Sequence, residues 1–271
     1  MAHPFFDVPV PTVIGHRGCA GEVPENTLAS FERGLAAGAA ILESDVHLTR
    51  DAVPVLLHDD QVDRNTNGSG RVAEFTLGEL QRLDAGYRFT PDGGRSHPFR
   101  GQGLVIPTLE EALASFPGAR FNLELKEDLP GLVTRTLKVV AEAGREDLTL
   151  LTAADEALML DLRSQIESSG SSVAQGACTQ DVADFIRSAQ DVTAPKPGPM
   201  ALQVPAAFGD HPLVTPLFVE HAHAHGLAVH VWTINETDEM QALLDLSVDG
   251  LVTDHPGRMA DLLEARASRA G

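Results

Sequence analysis

Eight short runs of apolar and β-branched residues alternate with amphipathic segments along the chain. The runs read TVIGHRG, AILESDV, RFNLELK, LTLLTA, SVAQGA, ALQVP, AVHVWTI and DGLVTD, and a segment with helical spacing of apolar residues follows each of them. Runs of this length and composition predict strands, and the spacing between them predicts helices. Eight strands that are each followed by a helix make a TIM (β/α)8 barrel, in which right-handed crossovers join parallel strands.

A length of 271 residues suits one such barrel as a single domain over residues 1–271. The stretch from about residue 61 to 106 departs from the alternation, because it is rich in Gly, Asn, Arg and Asp and has a weak helical pattern only near TLGELQRLDAG. It is too long for a simple connection between a strand and a helix. We therefore predict a small insertion subdomain over the barrel mouth, after the second strand and its hairpin.

A ninth apolar run, VPVLLH, predicts the return arm of a hairpin off the second strand. If residues 50–51 form the turn, Thr49 pairs with Ala52, and this register carries His58 back opposite Glu43. Glycine would be favoured at the position of Ala52, which leaves a slipped or bulged register as the alternative.

The charge and the cysteine content exclude several classes of protein. A net charge of -19 argues against nucleic acid or an anionic lipid surface as a partner, since phosphate neutralisation needs clustered Lys and Arg. No window approaches about 18 consecutive apolar residues, and the start MAHPFFDVPVPTVIGHRG lacks the pattern of a signal peptide. We read Cys19 and Cys178 as free thiols. These features predict a soluble, cytoplasmic protein without stable membrane insertion.

Polar side chains that are unusual inside a strand lie near the carboxyl ends of several predicted strands. They are His16 and Arg17 on the first strand, Glu43 and Asp45 on the second, Glu124 and Lys126 on the third, and Gln203, Trp232 and Asp254 on the last three. In a TIM barrel these ends converge on the face where active sites form. A single strand-end carboxylate can instead cap the following helix, so the hypothesis of a site depends on the coincidence across strands.

Glu43 and Asp45 raise an electrostatic question, because the alternation of side chains along a strand places both carboxylates on one face. Together with Glu124 they form a set of oxygen ligands with no cysteine nearby, which suits a hard divalent cation such as Mg²⁺ or Ca²⁺. The alternative is an ion pair between Glu124 and Lys126, with Glu43 and Asp45 solvated at the rim.

His16 and His58 would flank the same metal. Two imidazoles with pKa values near neutrality are suited to take a proton from a nucleophile and give one to a leaving oxygen. Trp232, the only tryptophan, fits either core filling or a wall of the site.

Several segments in a fixed order resemble the glycerophosphodiester phosphodiesterase family. They are GHRGCAGEVPENTLASF, ESDVHLTRDAVPVLLHDDQVDRNTNGSGRV, PTLEEAL, NLELK, VHVWTIN and VDGLVTDHP, and together they extend over nearly the whole chain. The departures are mild: Ala52 replaces a usual Gly, Asn65 a usual Thr, and Ser247 a common Gly before VDG. They bear on loop geometry more than on activity.

The resemblance implies a TIM barrel with a small insertion and a set of site residues. It implies a divalent metal at Glu43, Asp45 and Glu124, an acid–base pair in His16 and His58, and phosphate contacts from Arg17 and Lys126. It favours Trp232 as a wall of the site, and we include Gln203 among the substrate-binding candidates.

The predicted function is metal-dependent hydrolysis of glycerophosphodiesters to sn-glycerol 3-phosphate and an alcohol, a reaction of lipid and glycerol metabolism. The attacking hydroxyl is either water or the substrate's own glycerol 2-hydroxyl, which would give a cyclic phosphate. The alternatives are a phosphodiesterase like lysophospholipase D or sphingomyelinase D, and a catalytically silent barrel that binds metal and phosphate. The expected partner is a small-molecule substrate, for a chain that acts as a monomer or a homodimer.

Overall fold

The computed structural model describes residues 3–127 and 129–270. Its strands are β1 (Thr12–Gly15), β2 (Ile41–Leu48), β3 (Pro54–Leu56), β4 (Arg120–Leu125), β5 (Thr149–Thr152), β6 (Ala174–Gln175), β7 (Ala201–Pro205), β8 (Ala207–Phe208), β9 (His211–Pro212), β10 (Ala228–Trp232) and β11 (Gly250–Thr253). Its α-helices are α1 (Leu28–Ala36), α2 (Leu77–Leu80), α3 (Leu109–Ser115), α4 (Leu132–Glu142), α5 (Glu156–Ser169), α6 (Thr179–Asp191), α7 (Pro216–Ala224), α8 (Thr237–Asp245) and α9 (Pro256–Ala270). Short 3-10 helices occupy Pro4–Phe6, Val72–Glu74 and Glu146–Leu148.

Eight parallel strands form the barrel. They lie in the order β6, β5, β4, β2, β1, β11, β10, β7, and a parallel bridge between Gly176 and Ala201 links the two ends of this sheet. Each of the eight predicted runs contains one of these strands, with a helix before the next. The predicted TIM barrel is confirmed.

The helices begin where the sequence offers a capping side chain. The hydroxyl of Thr27 accepts a hydrogen bond from the backbone N–H of Ser30 at the start of α1. The carboxylate of Asp155 accepts one from the backbone N–H of Leu158 at the start of α5. At α7, Thr215 caps and Pro216 takes the first helical position. Such caps satisfy backbone donors that have no partner within the helix.

Apolar side chains fill two regions of the barrel. A large core lies between the strands and the surrounding helices. A smaller one lies inside the barrel, where the fully buried Phe5 packs among residues such as Ile41, Ala174 and Ala201, each the first residue of its strand. The segment Pro4–Phe6 therefore closes the amino-terminal end of the barrel, and the carboxyl end remains open for a site.

The hairpin at β2 and β3 forms, but the predicted register is wrong by one residue. Val46 pairs with Leu56, and the backbone N–H of Thr49 donates to Val53 rather than pairing with Ala52. The loop has three residues, because Ala52 adopts a left-handed conformation with φ of 63°. A three-residue loop that ends in this conformation is a common hairpin connection, and it shifts His58 away from the position opposite Glu43.

Residues 61–106 lie between β3 and α3 and contain the short helices Val72–Glu74 and α2. They carry a separate apolar cluster that includes Val62, Val72, Leu80 and Ile106. Within residues 3–127 and 129–270, no helix is both long and apolar enough to cross a membrane.

Candidate active site

A cavity of about 490 Å³ opens at the carboxyl ends of the barrel strands. All nine predicted site residues line it: His16, Arg17, Glu43, Asp45, His58, Glu124, Lys126, Gln203 and Trp232. The structure thus brings together side chains from β2, β4, β7 and β10 with others that follow β1, β3 and β4. Their individual roles stay predictions.

The turn after β1 lifts His16 and Arg17 into the cavity. Arg17 has a left-handed backbone with φ of 49°, and Gly18 follows with φ of 92°. A Cβ atom on Gly18 would lie 2.5 Å from the backbone carbon of Ser30, and one on Gly15 would lie 2.2 Å from the carbonyl oxygen of Gly18. Both glycines are therefore required by close packing of the backbone. The turn also directs the backbone N–H of Arg17 to Oε2 of Glu43, at 3.0 Å.

His16 is held by a carboxylate on its Nδ1 side. Nδ1 lies 2.6 Å from Oδ1 of Asp254, whose Oδ2 accepts from the side-chain amide of Asn235 at 2.6 Å. Burial raises the pKa of Asp254, but the hydrogen bond and charge of His16 outweigh it and lower that pKa overall. An ionised carboxylate only accepts, so Nδ1 donates. In the neutral ring, Nε2 is then the free base, 4.0 Å from Oε2 of Glu43.

His58 has an equivalent partner in the next residue. Its Nδ1 lies 2.7 Å from Oδ1 of Asp59. Burial raises the pKa of Asp59, but hydrogen bonds from Arg64 and His58 lower it to about 2. Nδ1 of His58 therefore also donates to an ionised carboxylate, and Nε2 is left available to a substrate.

The buried carboxylates answer the question raised by the alternation along β2. Nζ of Lys126 lies 2.9 Å from Oδ1 of Asp45 and 2.7 Å from Oε2 of Glu124, and Asn26 donates to Oδ2 of Asp45 at 3.0 Å. Burial and the charge of Asp45 raise the pKa of Glu43 to about 7. Negative charge at Glu43 is thus only partly compensated by the protein.

Of the alternative to a metal site, only the ion pair between Glu124 and Lys126 is found in the structure. The ion pair of Lys126 with Glu124 forms, but Asp45 and Glu43 are not solvated at the rim, since their side chains are 1% and 12% exposed. Among residues 3–127 and 129–270, no three His, Cys, Asp or Glu side chains lie close enough together to hold a metal ion. As they are placed, Nζ of Lys126 bonds both Asp45 and Glu124, and it is the oxygen chemistry of Glu43, Asp45 and Glu124, not their present spacing, that suits a hard cation.

The opposite side of the cavity is apolar. Val182, Ala183 and Ile186 of α6 face the same space as Phe208 and Trp232. Phe208 and Trp232 are 56% and 43% exposed, so Trp232 forms part of the cavity wall and does not fill the core. On β7, the buried Oε1 of Gln203 has no hydrogen-bond partner within the described part of the chain.

Sequence reasoning missed the residues that hold the predicted ones in place. The sequence patterns do not single out Asp59, Glu25 or Arg64, and they give Asp254 only as a strand-end residue. A signal existed for Asp59, which directly follows His58. His16 and Asp254 are 238 residues apart, and no local pattern reports their contact.

Comparison with known proteins agrees with this geometry. Residues 16–258 match the model of the glycerophosphoryl diester phosphodiesterase family. A glycerophosphodiester phosphodiesterase of Caldanaerobacter subterraneus subsp. tengcongensis is 31% identical over 259 residues, which cover 93% of this chain and 97% of that protein.

Two solved structures share the fold. One, of a protein from Silicibacter pomeroyi DSS-3, has a TM-score of 0.78 and 30% identity and covers 98% of this chain and 97% of its own. The other is an Oleispira antarctica phosphodiesterase in complex with the product sn-glycerol-3-phosphate. It has a TM-score of 0.72 and 27% identity over 94% of this chain and 97% of its own.

Proposed function

The chain belongs to the glycerophosphoryl diester phosphodiesterase family and is an enzyme of that activity, and on this premise we propose that His16 and His58 catalyse the hydrolysis with the aid of one divalent cation. The products would be sn-glycerol 3-phosphate and an alcohol. The observation that carries the proposal is the convergence on one cavity of two histidines, each with an aspartate at Nδ1.

The two imidazoles divide the proton transfers. Because both Nδ1 atoms donate to carboxylates, Nε2 of one neutral ring takes the proton of the attacking hydroxyl as its oxygen bonds to phosphorus. Nε2 of the other ring, in its protonated form, gives a proton to the alkoxide that leaves. Both routes for the attacking hydroxyl, water or the glycerol 2-hydroxyl, need this same pair.

Arg17 and Lys126 supply fixed positive charge on the polar side of the cavity. Ion pairs position both before any substrate binds, since Nη1 of Arg17 lies 2.9 Å from Oε1 of Glu25 and Lys126 bonds Glu124. Charge that develops on the phosphoryl oxygens would meet donors that need little rearrangement, which is an effective form of transition-state stabilisation.

Glu43, Asp45 and Glu124 would hold the cation, Mg²⁺ or Ca²⁺. When bound, such an ion would act as a Lewis acid toward the phosphoryl oxygens. The raised pKa of Glu43 supports this assignment, because burial and Asp45 leave a charge there that a cation would stabilise.

Metal binding can be tested without turnover by isothermal titration calorimetry with Mg²⁺ and Ca²⁺. Glu43→Gln should weaken the affinity for either ion at least about tenfold, because it removes one charged ligand. Glu142→Gln, on the exposed side of α4, is the matched control and should bind normally. Equal affinities for wild type and Glu43→Gln would remove Glu43 from the metal site.

The function itself is tested by release of sn-glycerol 3-phosphate from glycerophosphocholine and glycerophosphoethanolamine, followed with a coupled dehydrogenase. We expect release with Mg²⁺ or Ca²⁺ that EDTA abolishes. Release that persists in EDTA would contradict the metal dependence. Absence of release with either ion and either substrate would contradict the proposed substrate class.

The apolar side of the cavity supports a second candidate, hydrolysis of lysophospholipids. Val182, Ala183, Ile186, Phe208 and Trp232 carry no charge and reach from the cavity to its exposed rim. An acyl chain would bury apolar surface there, at about 25 cal/mol per Å². If lysophospholipids are substrates, Phe208→Ser should lower kcat/KM for lysophosphatidylcholine at least about fivefold more than for glycerophosphocholine. Equal effects on both substrates would count against this candidate.

A further inference from the structure

Arg64 lies in the insertion, outside the predicted catalytic set, and joins two carboxylates of the site. Its Nη1 and Nη2 donate to Oε2 and Oε1 of Glu25, both at 2.7 Å. Its Nε and Nη2 donate to Oδ2 and Oδ1 of Asp59, at 2.6 and 3.1 Å. One guanidinium thus binds both oxygens of two different carboxylates.

Each of these carboxylates holds a different site residue. Oδ1 of Asp59 accepts from Nδ1 of His58, and Oε1 of Glu25 accepts from Nη1 of Arg17. The chain of contacts runs from His58 through Asp59, Arg64 and Glu25 to Arg17. It connects one proposed acid–base residue with one proposed phosphate contact.

The geometry is specific to arginine. A planar guanidinium presents its donors in a fixed fork that matches two carboxylates in one plane, whereas a lysine ammonium is a point charge on a flexible stem. The Arg64 side chain is 46% exposed, and ion pairs at such positions contribute little to stability. The arrangement is therefore better explained by orientation of the site than by stabilisation of the fold.

We propose that Arg64 is a positioning residue through which the insertion orients His58 and Arg17 together. Through Asp59 it fixes the ring of His58 with the proton on Nδ1 and Nε2 toward the cavity. Through Glu25 it fixes the direction of the Arg17 guanidinium. The catalytic consequence rests on the proposed function, but the orientation of His58 does not.

The first test therefore reads the ring of His58 directly. Imidazole ¹⁵N NMR of the whole protein at a pH where the ring is neutral distinguishes the Nδ1–H from the Nε2–H form, and the His58 signals are identified by their loss in His58→Gln. We expect mainly the Nδ1–H form in the wild type and a mixture of both forms in Arg64→Ala. Unchanged His58 signals in Arg64→Ala would overturn the proposal even if the enzyme is active.

Arg71→Ala is the matched control. Arg71 also belongs to the insertion, is 52% exposed, and pairs with two carboxylates, Asp60 and Glu127. Unlike Asp59 and Glu25, neither of these carboxylates bonds a predicted site residue within the described part of the chain. Arg71→Ala should leave the His58 signals and kcat unchanged.

Arg64→Lys keeps the positive charge but loses the planar set of guanidinium donors, so we expect it to resemble Arg64→Ala. Wild-type His58 signals and kcat in Arg64→Lys would contradict the orienting role.

Kinetics provide the second test. For release of sn-glycerol 3-phosphate, we expect Arg64→Ala to lower kcat at least about tenfold through His58 and to raise KM through Arg17. The Tm of Arg64→Ala should equal that of the control variant Arg71→Ala. In the background Asp59→Asn, the same change should lower kcat much less, because the path to His58 is already broken. Fully additive effects on kcat would contradict the path through Asp59. An inactive wild type with altered His58 signals in Arg64→Ala would refute the proposed function and leave the positioning role standing.

Discussion

Asp254→Asn provides a sharp test of the pair of His16 and Asp254, because Asn235 fixes the orientation of the new amide. Oδ1 of Asn235 accepts from the backbone N–H of Asp254 at 2.9 Å, so the Asn235 amide nitrogen must face the side chain at position 254. The oxygen of the new amide would accept this bond, and its nitrogen would face Nδ1 of His16. Two donors cannot share that contact, so the proton of His16 would move to Nε2.

The expected loss follows from this reversal. A hydrogen bond to a charged partner contributes about 1.5–3 kcal/mol, which corresponds to about 10- to 100-fold in rate. The variant also removes the free base at Nε2, and acid–base groups contribute about 10²- to 10⁴-fold. We therefore expect kcat for glycerophosphocholine to fall at least about 100-fold, measured by release of sn-glycerol 3-phosphate.

Asparagine has nearly the same size and shape as aspartate, so Asp254→Asn should retain the fold, which circular dichroism and Tm would check. Asp245→Asn is the control, since this exposed residue of α8 pairs only with Arg266 and Gln241 among the described residues. Its kcat should stay within about twofold of wild type. A kcat of Asp254→Asn within about threefold of wild type would refute the tautomer argument.

Two further predictions concern stability. Phe5→Ala removes the buried ring at the amino-terminal end of the barrel and should lower the free energy of unfolding in urea by about 3–5 kcal/mol. The control Leu160→Ala, at an exposed position, should change this free energy by less than about 0.5 kcal/mol. A loss below about 1 kcal/mol for Phe5→Ala would contradict the role of Phe5 in closing the barrel. Burial lowers the pKa of His230 from 6.5 to about 4, so the unfolded chain binds a proton that the native protein excludes, and stability falls as pH drops from about 6.5 toward 4. Between pH 7 and pH 5 the free energy of unfolding of the wild type should fall by about 2 kcal/mol more than that of His230→Leu. Parallel curves of stability against pH for the two proteins would show that His230 is not buried as the neutral ring.

The barrel and the composition of the site could be predicted from the sequence because both depend on local patterns. Alternation of apolar runs and amphipathic segments marks each strand and helix, and strand-end residues such as Glu43 and Lys126 converge once the barrel is assumed. The hairpin register could not be predicted, because it depends on the left-handed backbone of Ala52. A residue other than Gly gives only a weak signal for that conformation.

The contacts that tune the site could not be predicted either. The partner of His16 comes from the end of the last barrel strand, and Arg64 of the insertion is the shared partner of Glu25 and Asp59. Such contacts depend on how distant segments pack. The position of Lys126 between Asp45 and Glu124 depends on side-chain rotamers, which a pattern of residue types does not specify.

The central claim is that His16 and His58 form the acid–base pair of this phosphodiesterase. It is tested most directly by kcat for release of sn-glycerol 3-phosphate in His16→Ala and His58→Ala, with the exposed His223→Ala of α7 as control. We predict at least about a 100-fold loss of kcat in each of the two variants, with folding retained, and wild-type kcat in the control. Near-wild-type turnover in either His16→Ala or His58→Ala would remove that histidine from the mechanism and contradict the account.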